Sequence, residues 1–319
     1  VTVGAPAGER DPSWFSPVFV LAPARSLSSV VTAMIGQHPQ LYSFPELSLF
    51  RADVVEDLLI DPTGWLGSPS RNRVGGLLRA LAQEHEGTQD EASIERALEW
   101  LTDRKDWSVA GVLDHLLAAV APLTTVEKSP ESSSRDSFLA RMDAAYPRAR
   151  YVHLVRHPVA TVRSMHESWA TRGWWRVEPS AFHQFCWSLW YFQHKRITEF
   201  GKALPPDRFV RFRGEDIVNS PDATLPALCR WLGVEASDRV IDEMKSPERS
   251  PYAALGPANA RGGGDLSFLH RPALRSIELP ARLSPPDEWM LDPWSVLMVL
   301  RLATELGYGA APLDHVWTT

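Results

Sequence analysis

Short apolar runs, each closed by proline or by a charged turn and each followed by a helix-like stretch, recur along this chain of 319 residues. No other feature limits the possible folds so tightly. A run of four or five residues that is apolar on both faces forms a strand buried between two layers. Val18 to Ala22 is the first, bounded by Pro17 and Pro23. Leu123 to Val126 is the second. Tyr151 to Val155 is the third and clearest, with Pro158 just beyond it, and Phe209 to Phe212 is the fourth. Helical patterns lie between them. Ser26 to Gln37 ends at Gly36 and Pro39. Pro158 to Trp169 carries proline in its first turn. Phe182 to Phe200 is long and rich in aromatics, Pro221 to Leu232 is closed by Gly233, and Trp289 to Leu306 is stopped by Gly307. This alternation predicts an α/β fold, a central parallel sheet with helices on both faces.

Residues 46–121 read as a helical insertion. Apolar residues recur at three-to-four spacing in Val54–Ile60, Val74–Leu81, Ile94–Leu101 and Val109–Val120, with breaks at Pro62, Gly64 and Pro69. Residues 1–16 read as a flexible leader, 246–285 as a Pro-, Gly- and Arg-rich loop, and 310–319 as a tail, which leaves 17–309 as the working domain. A hydrophobic fraction of 44% is enough for a sizeable core. The formal charge of −6 argues against a protein that coats nucleic acid. No apolar run is long enough for a membrane span, and Val1 to Pro12 lacks the pattern of a signal peptide. Cys186 and Cys229 make neither a disulfide framework nor a metal-ligand spacing, so a reducing, cytoplasmic setting is expected. The start at Val1 fits a trimmed protein or a domain cut from a longer one.

Ligands of a parallel sheet bind beyond the carboxyl ends of its strands. Three such ends carry suitable chemistry. The first is Pro23-Ala24-Arg25-Ser26-Leu27-Ser28-Ser29. A turn that opens a helix presents unpaired N–H groups to phosphate or sulfate, and here three hydroxyls and a guanidinium add donors. Alone, the segment fits an anion site and a serine-capped helix equally well. It is not a triphosphate-binding loop, because GxxxxGK[ST] is absent. The second is Arg156-His157-Pro158, with Ser164 two turns on. The third is Glu127-Lys128-Ser129-Pro130. Read singly, these two are ordinary strand exits.

Together these segments resemble the PAPS-dependent sulfotransferases, which use 3′-phosphoadenosine 5′-phosphosulfate. The likeness is closest to the branch with tyrosylprotein and polyketide olefin-forming sulfotransferases. Arg25-Ser26-Leu27-Ser28-Ser29 looks like the 5′-phosphosulfate loop, commonly Pro-Arg-Ser-Gly-Thr-Thr. His38-Pro39 and Pro45-Glu46-Leu47 match an "HP…PE" stretch, and Lys128-Ser129-Pro130 looks like Lys-Thr-Pro. Arg156-His157-Pro158 through Ser164 resembles the 3′-phosphate motif. Phe212 to Asp216, Pro221 and Leu228 to Gly233 resemble "RYEDL…P…L…FLG". Arg261-Gly262-Gly263-Gly264-Asp265 resembles the glycine-rich loop that closes over the nucleotide. Leu306-Gly307-Tyr308 is similar to the usual chain end. Two positions depart from the pattern. Leu27 replaces the usual glycine, which implies a less close backbone approach. Gly214 stands where tyrosine is common beside the adenine, which implies another cover for the base or a lower affinity.

The resemblance implies in-line transfer of a sulfuryl group to a hydroxyl, with release of the 3′,5′-diphosphate PAP and no metal. It makes Glu46 the general base; apart from the family, a helix N-terminal carboxylate explains that residue as well. Arg25 and Lys128 stabilise the leaving group. Arg25, Ser26, Leu27, Ser28, Ser29, Arg156, Ser164, Arg261, Gly262, Gly263 and Gly264 bind the donor. Trp174 and Trp175, beside Gly173, together with His166 and His270, are candidates for the acceptor site, whereas Trp187, Trp190 and Tyr191 have the spacing of core. Three functions stay open. One is an O-sulfotransferase for a small-molecule or natural-product acceptor. Another is an assembly-line domain that sulfates a β-hydroxyacyl chain on an acyl carrier protein. The third is a nucleotide-binding or kinase-like protein that transfers no sulfate.

Overall fold

The computed structural model describes residues 16–60, 73–170 and 178–309. The expected leader through residue 15, the breaks at Pro62, Gly64 and Pro69, the pair Trp174 and Trp175, and the tail from 310 lie outside the described residues. Five strands, β1 (Val18–Leu21), β2 (Leu41–Ser43), β3 (Thr124–Glu127), β4 (Arg150–Val155) and β5 (Phe209–Arg213), form one sheet in the order β2-β3-β1-β4-β5. Every pairing is parallel, with Val18 opposite both Val126 and Arg150, and Val155 opposite Arg213. All carboxyl ends therefore share one edge.

Alternate side chains of β1 feed two cores, as a pleated strand requires. Phe19 and Leu21 join the helices between β2 and β3, namely α2 (Val55–Ile60), α3 (Gly75–Glu86), α4 (Glu91–Thr102) and α5 (Val109–Ala119). Val18 and Val20 face the opposite layer, with α1 (Ser28–Ile35), Leu225, Leu228 and Ile241. A third cluster packs Val155 with residues of Pro158–Ala170, Pro179–Lys202 and Pro293–Glu305. Trp187 and Trp190 are fully buried there, as core spacing implies. No helix among the described residues is long and apolar enough to cross a membrane.

Several elements differ from the sequence reading. The edge strand β2 is unforeseen, because three residues carry no periodicity. The helix expected from Ser26 starts at Ser28, since Leu27 adopts φ 66°, outside helical space. The expected loop 246–285 contains a short helix, Leu266–His270, whose Asp265 side chain accepts from Ser267 N. The last helix does not start at Trp289. Met290 turns left-handed at φ 47°, and the helix begins at Pro293 with Asp292 as its cap. Three further helices, Asp136–Ala145, Gly214–Asn219 and Asp238–Met244, go unread in the sequence.

Candidate functional site

The turn between β1 and α1 sits at the centre of the carboxyl edge. Arg25 and Leu27 both hold positive φ, 67° and 66°. That conformation costs a side-chain-bearing residue about 1–3 kcal/mol. It accounts for the glycine usual at the Leu27 position of the resembling motif. No side chain caps α1, so the first amides of the helix face outward with the positive end of its dipole. Ser26 is fully buried and its Oγ has no partner among the described residues. A buried hydroxyl left unpaired calls for a ligand or water to complete it.

Lys128 leaves the end of β3 and reaches the same turn. Its ammonium donates to Ser29 Oγ at 3.1 Å and forms an ion pair with Glu46. The Lys128 side chain is 4% exposed and that of Glu46 is 25% exposed, so the carboxylate is the member of the pair that looks outward. Ser29 Oγ also accepts from Asp265 N at 2.8 Å. One hydroxyl thus joins the turn, the lysine and the segment that follows the glycine triplet. The backbone does the rest of the joining: Glu46 N donates to Gly263 O at 2.9 Å.

Arg25 is engaged on all sides. Its Nε donates to Ser164 Oγ at 3.0 Å, one terminal nitrogen pairs with Asp265, and the other donates to Ser267 Oγ at 3.0 Å. Arg156, at the exit of β4, donates from one terminal nitrogen to the Arg25 carbonyl at 2.6 Å. Its Nε is buried without a partner among the described residues. Burial holds the Arg156 pKa below its ordinary value, with Glu215 acting against that shift. Arg156, Ser164 and Arg25 thus form one group, with Ser164 bonded to Arg25 and not to Arg156.

Sequence reasoning missed four contributors. Glu127 is buried beside Lys128. Its Oε1 accepts from Leu47 N at 3.2 Å and from the Ser129 hydroxyl, while burial pushes its pKa up to about 7. It fixes the chain next to Glu46. Gly76 lets α3 approach the same place, because a Cβ there would stand 2.0 Å from Glu46 O and 2.8 Å from Gly263 Cα. Arg79, 1% exposed, donates to Gly262 O at 3.1 Å and to Gln89 at 2.7 Å, tying the helical segment to the glycine loop. Glu215 accepts from His157 N at 2.7 Å and from Tyr308 hydroxyl at 2.9 Å, which braces the exit of β4. A buried acid at a strand end has no local sequence signature. Signals were present all the same: the Gly75-Gly76 pair inside a helical pattern, and the places of Glu127 and Glu215 within motifs quoted for other residues.

A small open cleft lies beside Glu46 and Lys128. Phe44, Pro45, Tyr252, Phe268 and Leu269 give it an apolar wall, and Gly263 and Gly264 line it as well. Of the acceptor candidates from the sequence, Trp174 and Trp175 lie outside the described residues, and His166 and His270 do not line this cleft. His166 stacks on His183 at 4.6 Å, which stacks on Trp289 at 4.8 Å. His270 and Arg261 are exposed, and neither lines this cleft.

The parallel sheet of this α/β fold thus gathers hydroxyls and cations at its carboxyl edge. The chain matches the sulfotransferase family over residues 17–238 and belongs to it. The sulfotransferase domain from the curacin biosynthetic pathway has a similar structure, with a TM-score of 0.70 and 22% identity, covering 93% of this chain and 99% of that one. The sulfotransferase domain from the Synechococcus PCC 7002 olefin synthase gives a TM-score of 0.68 and 26% identity, covering 95% and 99%. Sulfotransferase STF9 from Mycobacterium avium shares the fold at a TM-score of 0.51 and 15% identity, covering 91% and 75%. No curated protein matches the chain.

Proposed function

We propose that this protein is a PAPS-dependent O-sulfotransferase that acts on the hydroxyl of a small-molecule or natural-product acceptor. The observation that carries the proposal is the meeting of Ser29, Lys128 and Glu46 at one point of the carboxyl edge, beside a turn whose buried Ser26 hydroxyl is unspent. The residues present fit an anionic donor. The donor supplies an activated sulfuryl group; the protein's part is to hold charge and move a proton.

The amides of α1 with Ser28 and Ser29 cradle the 5′-phosphosulfate end. Arg156 and Ser164, grouped around Arg25, hold the 3′-phosphate and so fix the donor's position. Glu46 accepts the proton of the attacking hydroxyl, and Lys128 and Arg25 stabilise the charge that grows on the leaving oxygen. Both cations are carboxylate-paired, so each exchanges a carboxylate oxygen for a donor oxygen. Gly262, Gly263 and Gly264 form the strap beside Glu46, and the apolar cleft wall receives the acceptor. Cations and N–H groups do the neutralising, without a call for metal.

Kinship with the olefin-synthase domain, 26% identical over nearly the whole chain, favours one form of acceptor: a β-hydroxyacyl chain presented by an acyl carrier protein. The test supplies PAPS with a panel of free alcohols and 3-hydroxyacyl carrier proteins and follows PAP release together with acceptor mass. Acceptor-dependent release with a gain of one sulfuryl group is the expected result, and the panel separates free from tethered acceptors. In that assay Glu46→Gln lowers kcat by roughly 10²-fold or more while PAP affinity stays close to wild type. Unchanged turnover removes Glu46 from the mechanism. Strong ATP binding with no sulfate transfer favours the nucleotide-binding or kinase-like reading.

A further inference from the structure

Arg79 is among the largest fully buried side chains, and no carboxylate pairs with it among the described residues. A buried guanidinium without a counter-ion is uncommon and needs a reason. Its partners are three neutral oxygens. Nε donates to Gln89 Oε1 at 2.7 Å, one terminal nitrogen to Gly262 O at 3.1 Å, and the other to Tyr252 O at 3.5 Å. Gln89 turns its carbonyl to Arg79 because its amide nitrogen donates to Gln83 Oε1 at 2.8 Å and to Pro251 O at 2.9 Å. One planar fork thus holds both arms of the segment 252–262 against α3. Gly256 leaves the space for it: a Cβ there would stand 2.8 Å from Arg79 Cδ.

The parts held by this fork lead to Glu46. Gly75 and Gly76 lie four and three residues before Arg79, so all three share one face of α3. The glycine strap rests on that face. A Cβ on Gly75 would be 3.4 Å from Gly262 N, and one on Gly76 would be 2.8 Å from Gly263 Cα and 2.0 Å from Glu46 O. The strap in turn accepts from Glu46 N at Gly263 O, 2.9 Å away. The main chain of Glu46 is therefore gripped on both sides, its carbonyl against the bare Cα of Gly76 and its amide on the strap. Among the described residues, the Arg79 bond to Gly262 O is the side-chain bond that fastens α3 to the strap. A carboxylate that must reach a reacting hydroxyl depends on such a seat, since misplacement by about 1 Å costs on the order of 10²-fold in rate.

We propose that Arg79 is a positioning residue for the transfer reaction. From behind the glycine strap it holds the main chain of Glu46, and so sets where the carboxylate meets the acceptor hydroxyl. The inference rests on the reading above of PAPS as donor and Glu46 as base. Arg79 touches neither donor nor acceptor in this role. Its effect reaches the reaction through Gly262, Gly263 and Glu46. Lysine at 79 keeps the charge and loses the grip on two carbonyls.

Hydrogen exchange and kinetics test the two halves of this role. In Arg79→Gln the Glu46 amide is expected to exchange at least about tenfold faster than in wild type, while α4 and α5 keep wild-type protection. Turnover is followed with PAPS and a 3-hydroxyacyl carrier protein. Arg79→Gln is expected to lower kcat by roughly 10- to 100-fold, with PAP affinity, read by calorimetry, changed far less. Arg79→Lys checks the same split should the glutamine variant fold poorly. In a Glu46→Gln background the Arg79 substitution should cost little more, because residues that act as one unit are not additive. A merely structural role would lower turnover equally in both backgrounds. Unchanged exchange at Glu46, a kcat loss that adds in full to that of Glu46→Gln, or a PAP loss as large as the kcat loss would overturn the proposal. A wild-type protein that binds no PAP would instead remove the donor reading, and the base role of Glu46 with it.

Discussion

The two ends of the candidate site differ in how much of their hydrogen-bonding capacity is already used. Beyond β1 and β3, the cations are paired: Arg25 with Ser164, Asp265 and Ser267, and Lys128 with Ser29 and Glu46. Around the exit of β4, Arg156 Nε is buried with no partner among the described residues. An exchange of partners conserves charge pairing and costs little, whereas an unspent buried donor gains a full charge-assisted bond when an oxyanion arrives. The difference assigns separate tasks. In the proposed reaction the β4 side supplies affinity, and the β1–β3 side supplies charge that changes hands.

The largest expected effect that tests this division is at Arg156. Arg156→Ala should weaken PAP binding by about 10- to 100-fold, the value of one or two bonds to a charged group, measured by calorimetry. Equal affinity in the variant would place the 3′-phosphate elsewhere and erase the contrast.

A pH-dependent effect should come from Glu127. Its folded pKa of about 7 lies above its ordinary 4.5 because of burial. The folded protein therefore binds a proton that the unfolded chain has released between these values, so this group's contribution is fully present below about pH 4.5 and is lost as pH rises through about 7. Relative to Glu127→Gln, wild type should lose up to ~1.4 kcal/mol per pH unit across that window, read from urea midpoints. Parallel profiles for the two proteins would show that Glu127 stays charged throughout.

The smallest effect probes the exchange at Arg25. Asp265→Asn keeps the cap on Ser267 and removes the competing charge. PAP should then bind about two- to fivefold tighter, in keeping with the ~1 kcal/mol worth of a part-exposed pair. Weaker binding would mean that Asp265 positions Arg25 for the donor.

The sequence showed the sheet where strands are apolar on both faces. Val18–Leu21 and Arg150–Val155 are legible for that reason, and β2 is not, because its three residues owe their pairing to neighbours. The turn with Arg25 to Ser29, Lys128 and Glu46 could be listed from resemblance, yet their meeting through the Lys128 ammonium joins segments 82 and 99 residues apart, and Asp265 reaches Ser29 Oγ from 236 residues away. Gly214 looked like a lost aromatic. Its closeness to Leu27 and the Ser26 carbonyl shows only when the ends of β1 and β5 are seen side by side. The apolar wall of the cleft escaped notice because Phe44, Tyr252 and Phe268 come from separate segments with no shared spacing.

A donor site that reads both phosphates can be tested without knowing the acceptor. Thermal stabilisation of the purified protein is measured with PAP, adenosine 5′-phosphosulfate and ATP at equal concentrations. A selective upward shift of Tm is expected with PAP, a smaller one with adenosine 5′-phosphosulfate, which lacks the 3′-phosphate, and the least with ATP. A clear shift with ATP and none with PAP would contradict it.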